Sequence, residues 1–144
     1  MKRIAIVFFN IACIISCIVG MLHFSVPTSF DWYSYIPDAP SEIYQSINYI
    51  NFCFSFLLSG LSIILLMMQK QFFAHLNEAT LVYLFFVLVW LSRAIIQIVW
   101  PWPSRLQLWL VIGFSTQFIL TLIPMLFVIQ NKYKLSQRKI GESQ

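Results

Sequence analysis

Four apolar stretches, at residues 4–22, 49–68, 81–100 and 108–129, constrain this chain more than any other feature. Each is close to the ~20 residues that cross ~30 Å of hydrocarbon at 1.5 Å per residue. Lipid offers no partner for a backbone N–H or C=O, so stretches of this length are predicted to be helices. The apolar–polar alternation of membrane strands is absent from them. Composition agrees: 60% of the 144 residues are hydrophobic and 10% charged, against roughly 45–50% and about 25% in soluble domains. So apolar a chain cannot hide its surface from water in one small core. The expected fold is all-α, a single membrane-spanning four-helix bundle, with a polar tail at 131–144 expected to be disordered.

Lys and Arg set the expected orientation. Lys2 and Arg3 precede the first stretch, Lys70 lies between the second and third, and Lys132, Lys134, Arg138 and Lys139 follow the fourth. If the helices alternate in direction, all seven fall on one side. The other side receives Arg105, and Arg93 lies within the third stretch. The positive-inside bias then places both termini in the cytoplasm, with residues 24–48 and 101–107 outside. A multi-pass protein of a bacterial plasma membrane is the expected setting. The net charge of +4 follows the membrane pattern at helix ends and forms no stripe on a soluble face, so no nucleic-acid partner is expected.

The outer segment from His23 to Gln45 lacks Lys and Arg but carries Asp31, Asp38 and Glu42 among Phe24, Phe30, Trp32, Tyr33, Tyr35 and Tyr44. Trp100, Trp102 and Trp109 fall on the same side. Amphipathic rings suit the headgroup layer, so this loop is expected to lie on the membrane. Pro27, Pro37 and Pro40 argue against a long helix there.

Arg93 is the residue that most demands an explanation, because a charge at mid-bilayer costs roughly 2.5–3.5 kcal/mol even on the insertion scale. It stands seven residues before Trp100, about 10 Å at helical rise. One reading lets the guanidinium snorkel to the outer interface. The other pairs it with Asp31, Asp38 or Glu42, or with an anionic ligand, and lets Gln97, one turn further out, share the site.

Polar or small residues also recur at helical spacing: Ala12, Ser16 and Gly20 in the first stretch, Asn51, Ser55, Ser59 and Ser62 in the second, Gly113, Gln117, Thr121 and Pro124 in the fourth. Packing explains such stripes, since small residues let helices approach and hydroxyls or amides bond between them. The functional alternative is an outward-facing ligand pocket formed by Arg93, Gln97, Asn51, Ser55 and Gln117, with His23 at its rim. Pro124 removes an N–H and predicts a bend in the fourth helix.

Cys13, Cys17 and Cys53 all lie in apolar stretches, which leaves no disulfide framework in the loops. Cys13 and Cys17, at i and i+4, run side by side and do not face one another. Ile14-Ile15-Ser16-Cys17 also matches a lipoprotein cleavage pattern, but the apolar run continues through Ile18-Val19-Gly20-Met21-Leu22, so the first helix is expected to be retained. His23 and His75 fall on opposite faces, so no metal site is expected. The five acidic residues lie outside the helix interiors, and no Walker loop, zinc-protease motif or nucleophile elbow is present. That excludes proton-coupled exporters that need a carboxylate within a helix, and leaves no acid–base pair for an enzyme. No cofactor is expected.

At Gly20-Met21-Leu22-His23-Phe24-Ser25-Val26-Pro27-Thr28-Ser29-Phe30 the chain resembles the DoxX-like family of small four-helix membrane proteins, and Ile36-Pro37 with Pro40 fits the continuation. The likeness covers about the first 65 residues. It implies a four-helix bundle and, for some relatives, association with quinone-linked or thiol-redox membrane complexes. Where such proteins often carry a glutamate early in the second helix, this chain has Asn51, Phe52, Cys53, Phe54 and Ser55, and the resemblance supplies no catalytic residue. The leading functional expectation is a non-enzymatic subunit of a membrane complex or a self-associating bundle, whose partners are the bilayer and other membrane proteins or itself. The alternatives are a carrier or binder of a small anionic or amphipathic ligand at Arg93, and a quinone- or thiol-linked redox protein.

Overall fold

The structure is a computed structural model that describes residues 2–103 and 105–142, with side chains to Arg138. Its long helices are α1 (Lys2–His23), α3 (Ser41–Met67), α5 (Asn77–Val99) and α6 (Gln107–Glu142), with short helices α2 (Val26–Ser29) and α4 (Gln69–Phe73) and a 3-10 turn at Trp32–Tyr35 between them. No strand occurs among the described residues. The long helices are the four with the length and apolar composition to cross a membrane. The fold class is therefore the all-α, four-span class that the apolar stretches predict.

Only about a third of each span is buried, 33% in α1, α5 and α6 and 28% in α3. The remaining apolar side chains point outward, an arrangement that lipid tolerates and water does not. The chain is a small multi-pass membrane protein.

Two boundaries depart from the sequence reading. Helix α3 begins at Ser41, eight residues before its apolar core, because Pro40 and the acidic Glu42 suit a helix start. Helix α6 continues through the 131–142 stretch expected to be disordered. Between Pro124 and Gly141 it meets neither Gly nor Pro, and Gln130, Lys132, Lys134, Leu135, Gln137 and Arg138 are all good helix formers. Helix α6 also runs unbroken through a fully buried Pro124.

The chain's contacts group into two compact units, Met1–Ala12 with Leu65–Gln144, and Cys13–Ile64. In the Cys13–Ile64 unit, α1 and α3 meet at Gly20. A Cβ on that glycine would lie 2.8 Å from the Ser59 backbone nitrogen, too close for a real Cβ contact, and 3.2 Å from the Ser55 carbonyl oxygen, a tight one. Ser16, Ser55, Ser59 and Ser62 are buried, and two of them satisfy their hydroxyls within α3: Ser55 donates to Asn51 O at 2.6 Å and Ser62 to Leu58 O at 2.7 Å. The polar stripe of α3 is a packing surface, as small-residue spacing predicts. Between the loop and the first turns of α3, Tyr44 donates to Ile36 O at 2.6 Å, Tyr33 donates to Asn48 Oδ1, and the two tyrosine rings lie 5.3 Å apart.

The other unit is built on an aromatic core. Phe9, Phe72 and Tyr83 are fully buried, with ring centroids 4.9 Å apart for Phe9–Tyr83, 4.4 Å for Phe72–Tyr83 and 5.2 Å for Phe9–Phe72. Phe73 closes on Phe72 at 5.0 Å, and Asn10 accepts a hydrogen bond from Gln69. Helix α5 presents Ala79, Tyr83, Phe86, Val87, Trp90, Ala94 and Gln97 as its buried face, one stripe at helical spacing.

Candidate functional site

The residues singled out from sequence fall into three local arrangements. In the Cys13–Ile64 unit, the Asn51 amide donates to His23 O, an end-of-helix carbonyl of α1 that no further turn could satisfy. Ser55 lies one turn further along α3, bonded to Asn51 O. His23 Nδ1 bonds Val19 O at 2.9 Å, and the imidazole lies 5.1 Å from the Phe54 ring. His23, Asn51 and Ser55 thus come together, and their polar groups serve the helix junction.

In the second arrangement, Gln97 and Gln107 clasp each other. Gln97 Nε2 donates to Gln107 Oε1 at 2.6 Å, and Gln107 Nε2 donates to Gln97 O at 2.8 Å. Gln107 Oε1 also accepts from the Trp102 backbone N–H at 2.7 Å. One side chain therefore ties the end of α5, the Pro101–Pro103 turn and the start of α6. Gln97, expected beside Arg93, spends its amide N–H here. Gln117 is buried and donates to Ala12 O at 2.7 Å.

Arg93 belongs to the third arrangement. Its Cζ sits 4.5 Å above the centroid of the Phe114 ring, a cation–π contact between α5 and α6. Trp90, one turn earlier on the same face of α5, is 3% exposed, and its ring lies 6.1 Å from that of Phe114. Arg93 Nε and Trp90 Nε1 are both buried and neither has a hydrogen-bond partner among the described residues. A shielded donor without an acceptor costs about 1–3 kcal/mol, more when charged, whereas a cation–π contact returns roughly 0.5–2 kcal/mol. The ring alone leaves the donors under-compensated. Chemically, the patch is a cation and an indole N–H on an aromatic floor, suited to a carboxylate, phosphate or carbonyl oxygen.

Trp90 and Phe114 do not stand out in the sequence because both read as ordinary apolar residues of a span. The i, i+3 relation of Trp90 to Arg93 was the available signal. Cys13 is buried, Cys17 half-buried and Cys53 exposed, and all three are free thiols. Among the described residues no group of three His, Cys, Asp or Glu side chains is placed to hold a metal ion. No protein-family profile, curated protein or solved structure matches the chain.

Proposed function

We propose that the chain is a non-enzymatic subunit of a membrane assembly, held to a partner membrane protein or to a second copy through Arg93. The observation that carries this reading is the pair of buried donors, Arg93 Nε and Trp90 Nε1, without acceptors beside Phe114. Within a membrane an acceptor from a neighbouring helix removes most of the cost of such a pair, which makes an intramembrane arginine an association device. The glycines support the same reading. A Cβ on Gly113, next to Phe114 in sequence, or on Gly60 would meet nothing within 4 Å. Gly113 is exposed and Gly60 half-buried, and small residues on span helices let another helix come close.

A second reading keeps the same atoms and changes the occupant: a small anionic or amphipathic molecule bound at the guanidinium, with Phe114 and Trp90 as its apolar support. Native mass spectrometry of the full chain released from mild detergent separates the two by the mass that accompanies it. For the subunit reading, the wild type carries a protein-sized partner, Arg93→Lys retains part of it and Arg93→Gln loses it. An Arg93-dependent adduct of a few hundred daltons would instead establish the ligand reading. The redox alternative rests on the three free thiols alone, and loss of assembly on thiol blockade would favour it.

A further inference from the structure

A separate cavity lies within the unit that joins the start of α1 to α4, α5 and α6. It is a half-open pocket of about 360 Å³, lined by Lys2, Phe73, His75, Phe127, Asn131, Lys134, Leu135 and Arg138. Residues 127, 131, 134 and 138 of α6 follow at steps of four, three and four, so one face of the helix forms a wall. That wall changes character along its length. Phe127, whose ring lies 6.3 Å from that of Phe73, makes an apolar floor, while Asn131, Lys134 and Arg138 carry the lining out beyond it.

His75 completes the polar part. It lies two residues beyond the end of α4 with φ 64°, a left-handed conformation, its backbone N–H bonded to Phe72 O at 3.1 Å. A non-glycine residue there carries a backbone cost, and such outliers concentrate at functional sites. Its Nδ1 is buried and has no hydrogen-bond partner among the described residues. The lining thus brings together two lysines, an arginine, an imidazole and an amide, with no Asp or Glu among them. A donor-rich, carboxylate-free cavity with an aromatic floor has the chemistry of a phosphate site that also receives an apolar group.

We propose that this cavity binds the phosphate of an anionic phospholipid headgroup, with Lys2, Lys134 and Arg138 supplying charge, His75 and Asn131 supplying directed hydrogen bonds, and Phe73 and Phe127 taking the glycerol end. Basic pockets at the ends of span helices are suited to such headgroups. Three of the basic residues counted toward the expected orientation, Lys2, Lys134 and Arg138, line this pocket. The inference is independent of the role of Arg93.

The test uses the full chain in a neutral detergent, titrated with short-chain phosphatidylglycerol, short-chain phosphatidylcholine or inorganic phosphate, with bound species counted by native mass spectrometry. Phosphatidylglycerol is expected to bind at least tenfold more tightly than either comparator. Lys134→Gln and Arg138→Gln should each weaken it roughly fivefold, the factor expected from about one headgroup contact per cation. Lys132→Gln removes the same charge from the same helix, but Lys132 bonds Asn77 and does not line the cavity, so its affinity should stay within twofold of wild type. Equal losses for Lys132→Gln and Lys134→Gln would reduce the effect to general surface charge and overturn the site. Inorganic phosphate binding as tightly as phosphatidylglycerol would overturn the lipid assignment. His75→Ala should weaken binding while circular dichroism stays unchanged, and an unaltered affinity would remove His75 from the site.

Discussion

Adding one methyl group at Gly20 tests the close approach of α1 and α3. The new Cβ would stand 2.8 Å from Ser59 N and 3.2 Å from Ser55 O. Both are backbone atoms of a continuous helix and cannot rotate aside, so the helices must separate by several tenths of an ångström. Overpacking of this kind costs roughly 1–3 kcal/mol, and a backbone obstacle puts Gly20→Ala in the upper part of that range. Alanine returns about 0.8–1 kcal/mol of helix propensity. The net is about 1–2 kcal/mol of destabilisation, roughly a five- to thirtyfold shift in the folding equilibrium. Reversible unfolding in mixed micelles with increasing denaturing detergent, followed by circular dichroism, gives the measurement. Gly60→Ala and Gly113→Ala are the controls: their Cβ atoms meet open space, so propensity alone acts, and each variant should be neutral or up to about 1 kcal/mol more stable. The contrast is one of sign. If Gly20→Ala is as stable as Gly60→Ala, the two helices do not touch at Gly20.

Two further outcomes follow from the fold. Reporter fusions at Asp38 and after Gln144 should give opposite compartment signals, with the C-terminal one cytoplasmic, as the Lys and Arg distribution predicts; equal signals would overturn the four-span count, and a three-span product beginning at Cys17 would identify a processed lipoprotein. Phe9→Ala removes a fully buried ring that stacks on Tyr83 and should lower stability by about 3–5 kcal/mol in the same unfolding assay, while Phe85→Ala, on an exposed face, should change it by less than about 0.5 kcal/mol.

The four spans were legible because lipid leaves an apolar stretch of that length little choice but a helix. The buried stripes were legible for a related reason: Ala12, Ser16 and Gly20, and Asn51, Ser55, Ser59 and Ser62, recur at three- and four-residue spacing, and all of them are buried. The start of α3 lies outside the apolar stretch because residues 41–48 are too polar for a hydropathy window, although Pro40 followed by Ser41 and Glu42 is a readable start signal. Helix α4 was hidden by Gln69, Lys70 and Gln71, which look like a loop until Phe72 and Phe73 find Phe9 and Tyr83. The Gln97–Gln107 clasp depends on how the Pro101–Pro103 turn folds back, which no spacing rule encodes. Lys2, His75, Lys134 and Arg138 meet only through tertiary structure; the Phe127, Asn131, Lys134, Arg138 periodicity was the fragment of that cavity visible in the chain.

Arg93 carries the central functional claim, and Gly113, next in sequence to the Phe114 that Arg93 covers, offers a direct way to test it in the native membrane. A photoreactive residue at position 113 faces open space, so it should be accommodated without disturbing α6. Illumination of intact membranes is expected to yield one discrete protein cross-link, either to a second copy or to a single partner, that persists in Arg93→Lys and disappears in Arg93→Gln while the chain stays folded and inserted. Cross-links to lipid alone, or a protein cross-link of equal yield in Arg93→Gln, would contradict association through Arg93.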